Sequence, residues 1–312
     1  MKHVKFNSPV IVVDGFDILC LWMDRPELPF AEQLLLPHCA KGDIKCIQPK
    51  FQANRKLLVC LHQPTTACLK VLRAGIGREV GVAITYVEIA RDILVRPSFA
   101  VSQLQDQFLA SARVPYQRDS VVEHKGTWYY GRRTSKNSQE QVPASTSADD
   151  APATVAEQKE KGRRQGHVLA VYADNPSKLN NARPDETAPP CLHIEWRASG
   201  KAALEHLGVR ALDDLLRFDF DRHWDARLRL HSQPTKTALG RLLAKVNGGS
   251  AQSSSTAFLK RANRWIANYE MKGQFVLHNA LQHNRELASR LQRLSWNDWL
   301  QESVNALGIT GN

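Results

Sequence analysis

The chain reads as an α+β protein: an antiparallel sheet with packed helices, followed by a basic, helical C-terminal region. Three observations predict this. Val168–Asp174 (VLAVYAD) and Leu192–Arg197 (LHIEWR) alternate apolar and polar residues over short runs, the period of a half-buried strand. Val82–Arg96 is dense in β-branched residues, which fit a pleated sheet better than a helix. Thr256–Leu307 instead repeats apolar residues at helical spacing, with Phe258, Ala262, Trp265, Ile266 and Tyr269 in one stripe.

Taken in order, Val4–Met23 holds two apolar runs split by Asp14-Gly15, the pattern of a hairpin. Residues 24–43 mix prolines with one short helical run around Phe30–Leu36. Lys56–His62 reads as a strand. Thr65–Ala74 reads as a helix capped by Thr65 and ended by Gly75. Ser98–Ala112 is helical, with Ser102 as its expected cap, and Thr127–Arg133 is a strand. Residues 134–166 are rich in Ser, Thr, Gln, Ala, Pro and Glu, a composition that cannot bury enough apolar surface to order itself. They are expected as a disordered insertion within a catalytic domain spanning 1–235. Gly200–Gly208 and Leu212–Phe218 read as short helices, and residues 247–255 (NGGSAQSSS) as a flexible linker to a region spanning 256–312. From Lys236 onward ten Lys/Arg face four Asp/Glu, so this tail is itself basic.

The formal net charge of +11 favours an anionic partner, nucleic acid before a membrane surface. No run approaches the roughly eighteen apolar residues of a membrane helix, so no membrane partner is expected. Six cysteines without CxxC spacing, and no signal-peptide pattern, are expected as reduced thiols in a cytoplasmic protein. No phosphate loop of the Walker type is present, which argues against ATP-driven unwinding by this chain.

The polar faces of the strands carry the chemistry. Glu88 and Asp92 share one face of the first, Tyr172 and Asp174 of the second, and His193, Glu195 and Arg197 of the third. Carboxylates brought together raise one another's pKa unless a cation joins them. Oxygen donors of this kind suit Mg²⁺ or Mn²⁺. Such an ion polarises a phosphodiester. It also helps a tyrosine, whose ordinary pKa is near 10, to act as nucleophile. Arg197 is then placed to clamp the phosphate. The alternative for each residue alone is a solvated strand face or a half-buried aromatic. Asp219, Asp221 and His223 read as a helix end with solvated charges.

Four segments in order resemble the replication initiation factors, the rolling-circle initiators of small plasmids and filamentous phages. They are YVEIARDI (Tyr86–Ile93), GTWYYGRRTS (Gly126–Ser135), LAVYADNPSK (Leu169–Lys178) and LHIEWR (Leu192–Arg197). The resemblance spans roughly residues 80–230 and implies origin-specific, metal-dependent nicking and joining through a 5′-phosphotyrosine. Carried over by position, it implies Tyr172 as nucleophile and Glu88, Asp92 and Glu195 as metal ligands, with Mg²⁺ or Mn²⁺ as the ion. Arg132, Arg133 and Lys178 are the expected DNA-binding residues, and Tyr129 and Tyr130 the reserve nucleophiles. The chain departs from the family where Tyr172 is followed by Ala173-Asp174-Asn175 rather than Asp-Lys, where Glu88 replaces the more usual Asp, and where His193 replaces an Arg. The implied partners are origin DNA, a host helicase and a polymerase, with homodimer formation left open. The rival reading is a non-catalytic, sequence-specific DNA-binding regulator derived from such an initiator.

Overall fold

Two fourteen-residue strands form the spine of the molecule. The computed structural model describes residues 3–5, 10–46, 57–77, 81–95, 100–114, 122–124, 126–131, 166–174, 190–232 and 291–308. Its elements in chain order are β1 (His3–Lys5), β2 (Val10–Met23), two 3₁₀ turns (Glu32–Leu34 and Leu36–His38), β3 (Lys41–Cys46), β4 (Leu57–His62), α1 (Thr66–Ile76), β5 (Val82–Val95), α2 (Ala100–Ser111), β6 (Ala112–Arg113), β7 (Val122–His124), β8 (Thr127–Gly131), β9 (Gly166–Asp174), β10 (Cys191–Ser199), α3 (Lys201–Leu207), α4 (Leu212–Leu216), α5 (Phe220–Arg227), β11 (Arg229–His231), β12 (Arg293–Leu294) and α6 (Trp296–Ala306). The large sheet is antiparallel, in the order β3-β4-β2-β5-β10-β9-β8-β7, with β1 also on β2. A second, three-stranded sheet runs β12-β11-β6. The expected α+β class and antiparallel sheet are therefore present.

Strand alternation sends two different populations of side chains to the two faces. One face carries Phe16, Ile89, Trp196, Leu169 and Tyr130 as one row across the sheet, and this face meets the helices. Leu69 and Leu72 of α1, Leu104 and Phe108 of α2, Leu204 of α3, Trp224 of α5 and Trp299 of α6 all join that core. Within it, Arg91 pairs through two bonds of 2.8 Å with Asp14, its partner across the β2–β5 ladder. Trp224 Nε1 donates to the same carboxylate at 3.2 Å, and the Trp296 ring lies 4.7 Å from the Arg91 guanidinium. Burying an ion pair is costly unless its remaining hydrogen-bonding groups are satisfied, and these contacts satisfy them.

The expected hairpin at Asp14-Gly15 is not formed; both residues lie within the continuous strand β2. The reason is the pairing of Asp14 with Arg91, which gives the aspartate a ladder partner instead of a turn. Two register irregularities follow in β2. An extra residue on β2 falls between Phe16 and Leu19, and a compensating extra residue on β5 opposes Cys20–Leu21. Because the first bulge shifts the alternation by one, Asp17 and Ile18 both reach the face away from the helices.

Smaller corrections are local. Thr65 caps α1 as expected, accepting from Cys68 N at 3.2 Å, but the helix passes through Gly75 and ends at Gly77, which has φ of 66°. At Gly75 a Cβ would lie 2.1 Å from the Phe30 ring, so close packing rather than helix termination accounts for this glycine. The helix expected in residues 24–43 is reduced to the two 3₁₀ turns, and Lys41–Cys46 is a strand. Ser102 lies inside α2 rather than at its cap. The C-terminal stretch is not helical throughout: Arg293–Leu294 pairs with β11, and Ser295 starts a fresh helix by accepting from Asp298 N at 3.1 Å. Residues 294–304 then contribute Leu294, Trp299, Leu300 and Val304 to the main core. Cys20 and Cys60, directly opposed across β2 and β4 with Cα atoms 4.2 Å apart, form a disulfide, contrary to the expectation of reduced thiols. Cys39, Cys68 and Cys191 are thiols outside any disulfide. Residues 134–165, 247–255 and 256–290, expected as insertion, linker and helical tail, lie outside the described residues. Among the described residues, no helix is long and apolar enough to cross a membrane.

Candidate functional site

The second face of the large sheet carries the polar rows, and the ladder registers place them. Val13, Asp92, His193 and Tyr172 form one row across β2, β5, β10 and β9. The next row is Gly15, Ala90, Glu195, Ala170 and Tyr129. A third holds Glu88, Arg197 and Val168. Glu195 therefore sits in a row whose nearest neighbours are alanines. Their short side chains leave room above the sheet for the longer groups of the adjacent rows to converge on its carboxylate.

That convergence is specific. His193 Nε2 lies 3.1 Å from Glu195 Oε2, and Tyr172 Oη donates to the same oxygen at 3.3 Å. The Tyr172 ring packs on the imidazole with centroids 4.7 Å apart. On the other side of the ring, His193 Nδ1 meets Asp92 Oδ1 at 2.5 Å, and Asp17 Oδ2 lies 4.0 Å from Nε2. Arg197 binds the remaining oxygen of Glu195 and approaches Glu88 at 3.5 Å, while Tyr86 donates to Glu88. Asp17, Glu88, Asp92, His193 and Glu195 are all buried; Arg197 keeps 13 % of its side chain exposed and Tyr172 is half-buried.

Electrostatics follow from this burial. Desolvation pushes the Glu88 carboxyl up to about 8, assisted by the charges of Glu195 and Asp17 and opposed by Arg197 and Tyr86. Burial disfavours charge on His193, but Asp92 and Glu195 outweigh it and hold the imidazole protonated well above its ordinary range. Arg197 behaves likewise, its desolvation being exceeded by Glu195 and Glu88. Burial raises the Tyr129 hydroxyl above its ordinary range, with Arg197 5.8 Å from its ring.

Two donor sets on this face could hold a metal ion. The ligand atoms of Asp17, His193 and Glu195 lie within 4.8 Å of one another, and so do those of Asp92, Cys191 and His193. Imidazole with two carboxylates is a fitting donor set for a divalent ion such as Mn²⁺. Of the residues anticipated from sequence, Tyr172, Asp92, Glu195 and Arg197 converge here. Glu88 lies on the same face but is engaged by Tyr86 and Arg197, outside both donor sets. Tyr129 shares the face, whereas Tyr130 points into the helical core. Asp219 caps α5 and Asp221 pairs with Arg91, consistent with a helix end. Arg132, Arg133 and Lys178 lie outside the described residues.

Sequence reasoning assigned no ligand role to His193 or Asp17. The signal for His193 was its position two residues before Glu195, on the same strand face. Asp17 carried no such signal, because Asp14-Gly15 reads as a turn and so hides the continuous strand in which Asp17 follows Phe16 onto the opposite face. Neither a scan against protein-family models nor a search of curated proteins finds a match for this chain.

Proposed function

We propose that the protein cleaves and rejoins one DNA strand through Tyr172, in the manner of a rolling-circle replication initiator, with Asp17, His193 and Glu195 as the donors for a divalent ion. The observation that carries this reading is the 3.3 Å bond from Tyr172 Oη to Glu195 Oε2, an oxygen that His193 also reaches. An ion held there would polarise the scissile phosphate and offset its developing charge. The imidazole donor favours Mn²⁺ over Mg²⁺, which prefers an all-oxygen shell.

Tyr172 Oη attacks phosphorus as its proton passes to Glu195. The bond from phosphorus to the 3′ oxygen breaks, that oxygen takes a proton from solvent to leave as a hydroxyl while Glu195 releases the tyrosine's proton to solvent, and the tyrosine keeps the 5′-phosphate. Rejoining reverses each transfer. Asp92 orients His193 through Nδ1, and Arg197 fixes the Glu195 carboxylate from its far side. The 3′-hydroxyl serves a host polymerase, and a separate helicase supplies the unwinding. The net charge of +11 supports a polyanionic substrate.

One observation favours the second reading, a DNA-binding regulator without catalysis. Arg197 and His193 already bind the carboxylates, so the cluster is held together without an ion. Incubation with single-stranded DNA and Mn²⁺, followed by denaturing electrophoresis, separates the two. A covalent 5′ adduct is expected with the native chain and not with Tyr172→Phe. An adduct that persists in Tyr172→Phe moves the nucleophile to Tyr129, and its absence from the native chain favours the regulator.

A further inference from the structure

The three-stranded sheet has two unlike faces. Leu230, with its partners Ala112 and Leu294, points into the main core. Arg229 and His231 alternate to the opposite face, where Arg229 opposes Arg113 and His231 opposes Arg293. Three arginines and a histidine from three separate chain segments thus share one face of seven strand residues.

The opposed pairs concentrate positive charge on this face. Like charges directly opposed on neighbouring strands are unfavourable. A surface needing only solvation alternates signs or spreads its charges. His231 records the crowding: burial, then Arg113, Arg229 and Arg293, hold its pKa down at about 4. Arg113 and Arg229 are half-buried, His231 is buried beneath them, and Arg293 is exposed, its Nη2 donating to the Asp225 carbonyl at 3.3 Å. Guanidinium is the side chain best suited to phosphate, because its planar fork donates two parallel bonds to one phosphate group. A phosphodiester backbone is the polyanion that complements such a concentration of positive charge.

We infer that the face carrying Arg113, Arg229 and Arg293 is a binding site for the phosphate backbone of nucleic acid. It rests on the nucleic-acid part of the proposed function and not on the strand-cleaving chemistry. The contacts are with phosphate, so the site positions a strand without reading its bases.

The test uses the full chain carrying Tyr172→Phe, in EDTA, so that neither cleavage nor metal contributes. Binding of a fluorescent single-stranded oligonucleotide is followed by anisotropy across a salt series. Arg229→Gln with Arg293→Gln is expected to weaken binding about tenfold at low salt. It should also make the plot of log K against log salt shallower by about 1.4, two lost phosphate contacts on a single strand. Arg229→Gln alone should leave the thermal midpoint unchanged or raised, and Arg229→Lys should retain most of the binding. Unchanged affinity and slope in the double variant overturn the inference, as does a native chain that binds no oligonucleotide. So does dependence on these arginines seen with phosphatidylserine vesicles but not with the oligonucleotide. Arginine-dependent binding by a chain that forms no tyrosyl adduct would instead leave this site standing and remove the proposed chemistry alone.

Discussion

The Asp92 carboxylate lies 2.5 Å from Nδ1 of His193, and neither side chain is exposed to solvent. With Nδ1 committed to Asp92, Nε2 is the nitrogen turned towards Glu195 and Asp17. Orienting partners of this kind set the basicity and direction of a ligating imidazole, and losing one costs about 10–100-fold in metal affinity. Asp92→Asn is therefore expected to weaken Mn²⁺ binding by about that factor while preserving the fold. Titration calorimetry and the circular dichroism spectrum check the two halves of the statement.

The same histidine couples metal binding to pH. Because Asp92 and Glu195 hold it protonated well above its ordinary range, an ion must displace a proton from Nε2. Mn²⁺ affinity should rise with pH through neutrality, and titrations in buffers of different ionisation enthalpy should report proton release. Affinity independent of pH would place the ion away from His193.

Glu88 makes an opposite prediction for stability. Its folded-state pKa of about 8 exceeds the ordinary value of 4.5, so folding favours the protonated carboxyl. That contribution is fully present below about pH 4.5 and is lost as pH rises through 8. Urea unfolding of Glu88→Gln should show a gain over the native chain that grows between about pH 4.5 and 8 and levels off above that.

On the helical face, Asp14 is the principal counter-charge of buried Arg91, since Asp221 has a side chain 58 % exposed. Removing one partner of a buried pair strands the other and costs about 3–5 kcal/mol. Asp14→Ala should lower the urea midpoint accordingly, whereas the cluster around His193 and Glu195 on the opposite face keeps its geometry.

The Cys20–Cys60 bridge closes a span of 40 residues. Chain-entropy arithmetic for a loop of that length gives a stabilisation of about 4 kcal/mol. Cys20→Ser with Cys60→Ser should fall in thermal midpoint to match, and mass spectrometry after alkylation should find both thiols of the native chain blocked.

The sheet strands that carry the site were legible in the sequence because their period is two and their polar residues are few. Alternation alone puts His193, Glu195 and Arg197 on one side of LHIEWR and Tyr172 on one side of VLAVYAD; the ladder register then brings both sides to the same face of the sheet. The contribution of β2 was hidden for a physical reason. Asp14-Gly15 has the chemistry of a turn, and only the long-range pairing of Asp14 with Arg91, 77 residues away, keeps the strand straight. The ligand role of Glu88 is what its position in the resembled motif implies; neither that position nor its strand face reveals that Tyr86 and Arg197 reach it first. The thiol pairing of Cys20 with Cys60 was equally invisible, since it depends on which strand lies beside β2.

The paired irregularities of β2 and β5 cancel, so the two strands run out of phase only between Phe16 and Leu21. That short interval acts as a vernier between two independent halves of the sheet. A single-residue deletion within 17–18 would remove the β2 bulge while Leu19 and Cys20 keep Val87 and Tyr86 as partners and keep their present faces. Deleting Thr85 as well would remove the second irregularity, so that β2 and β5 would pair in one regular register from end to end.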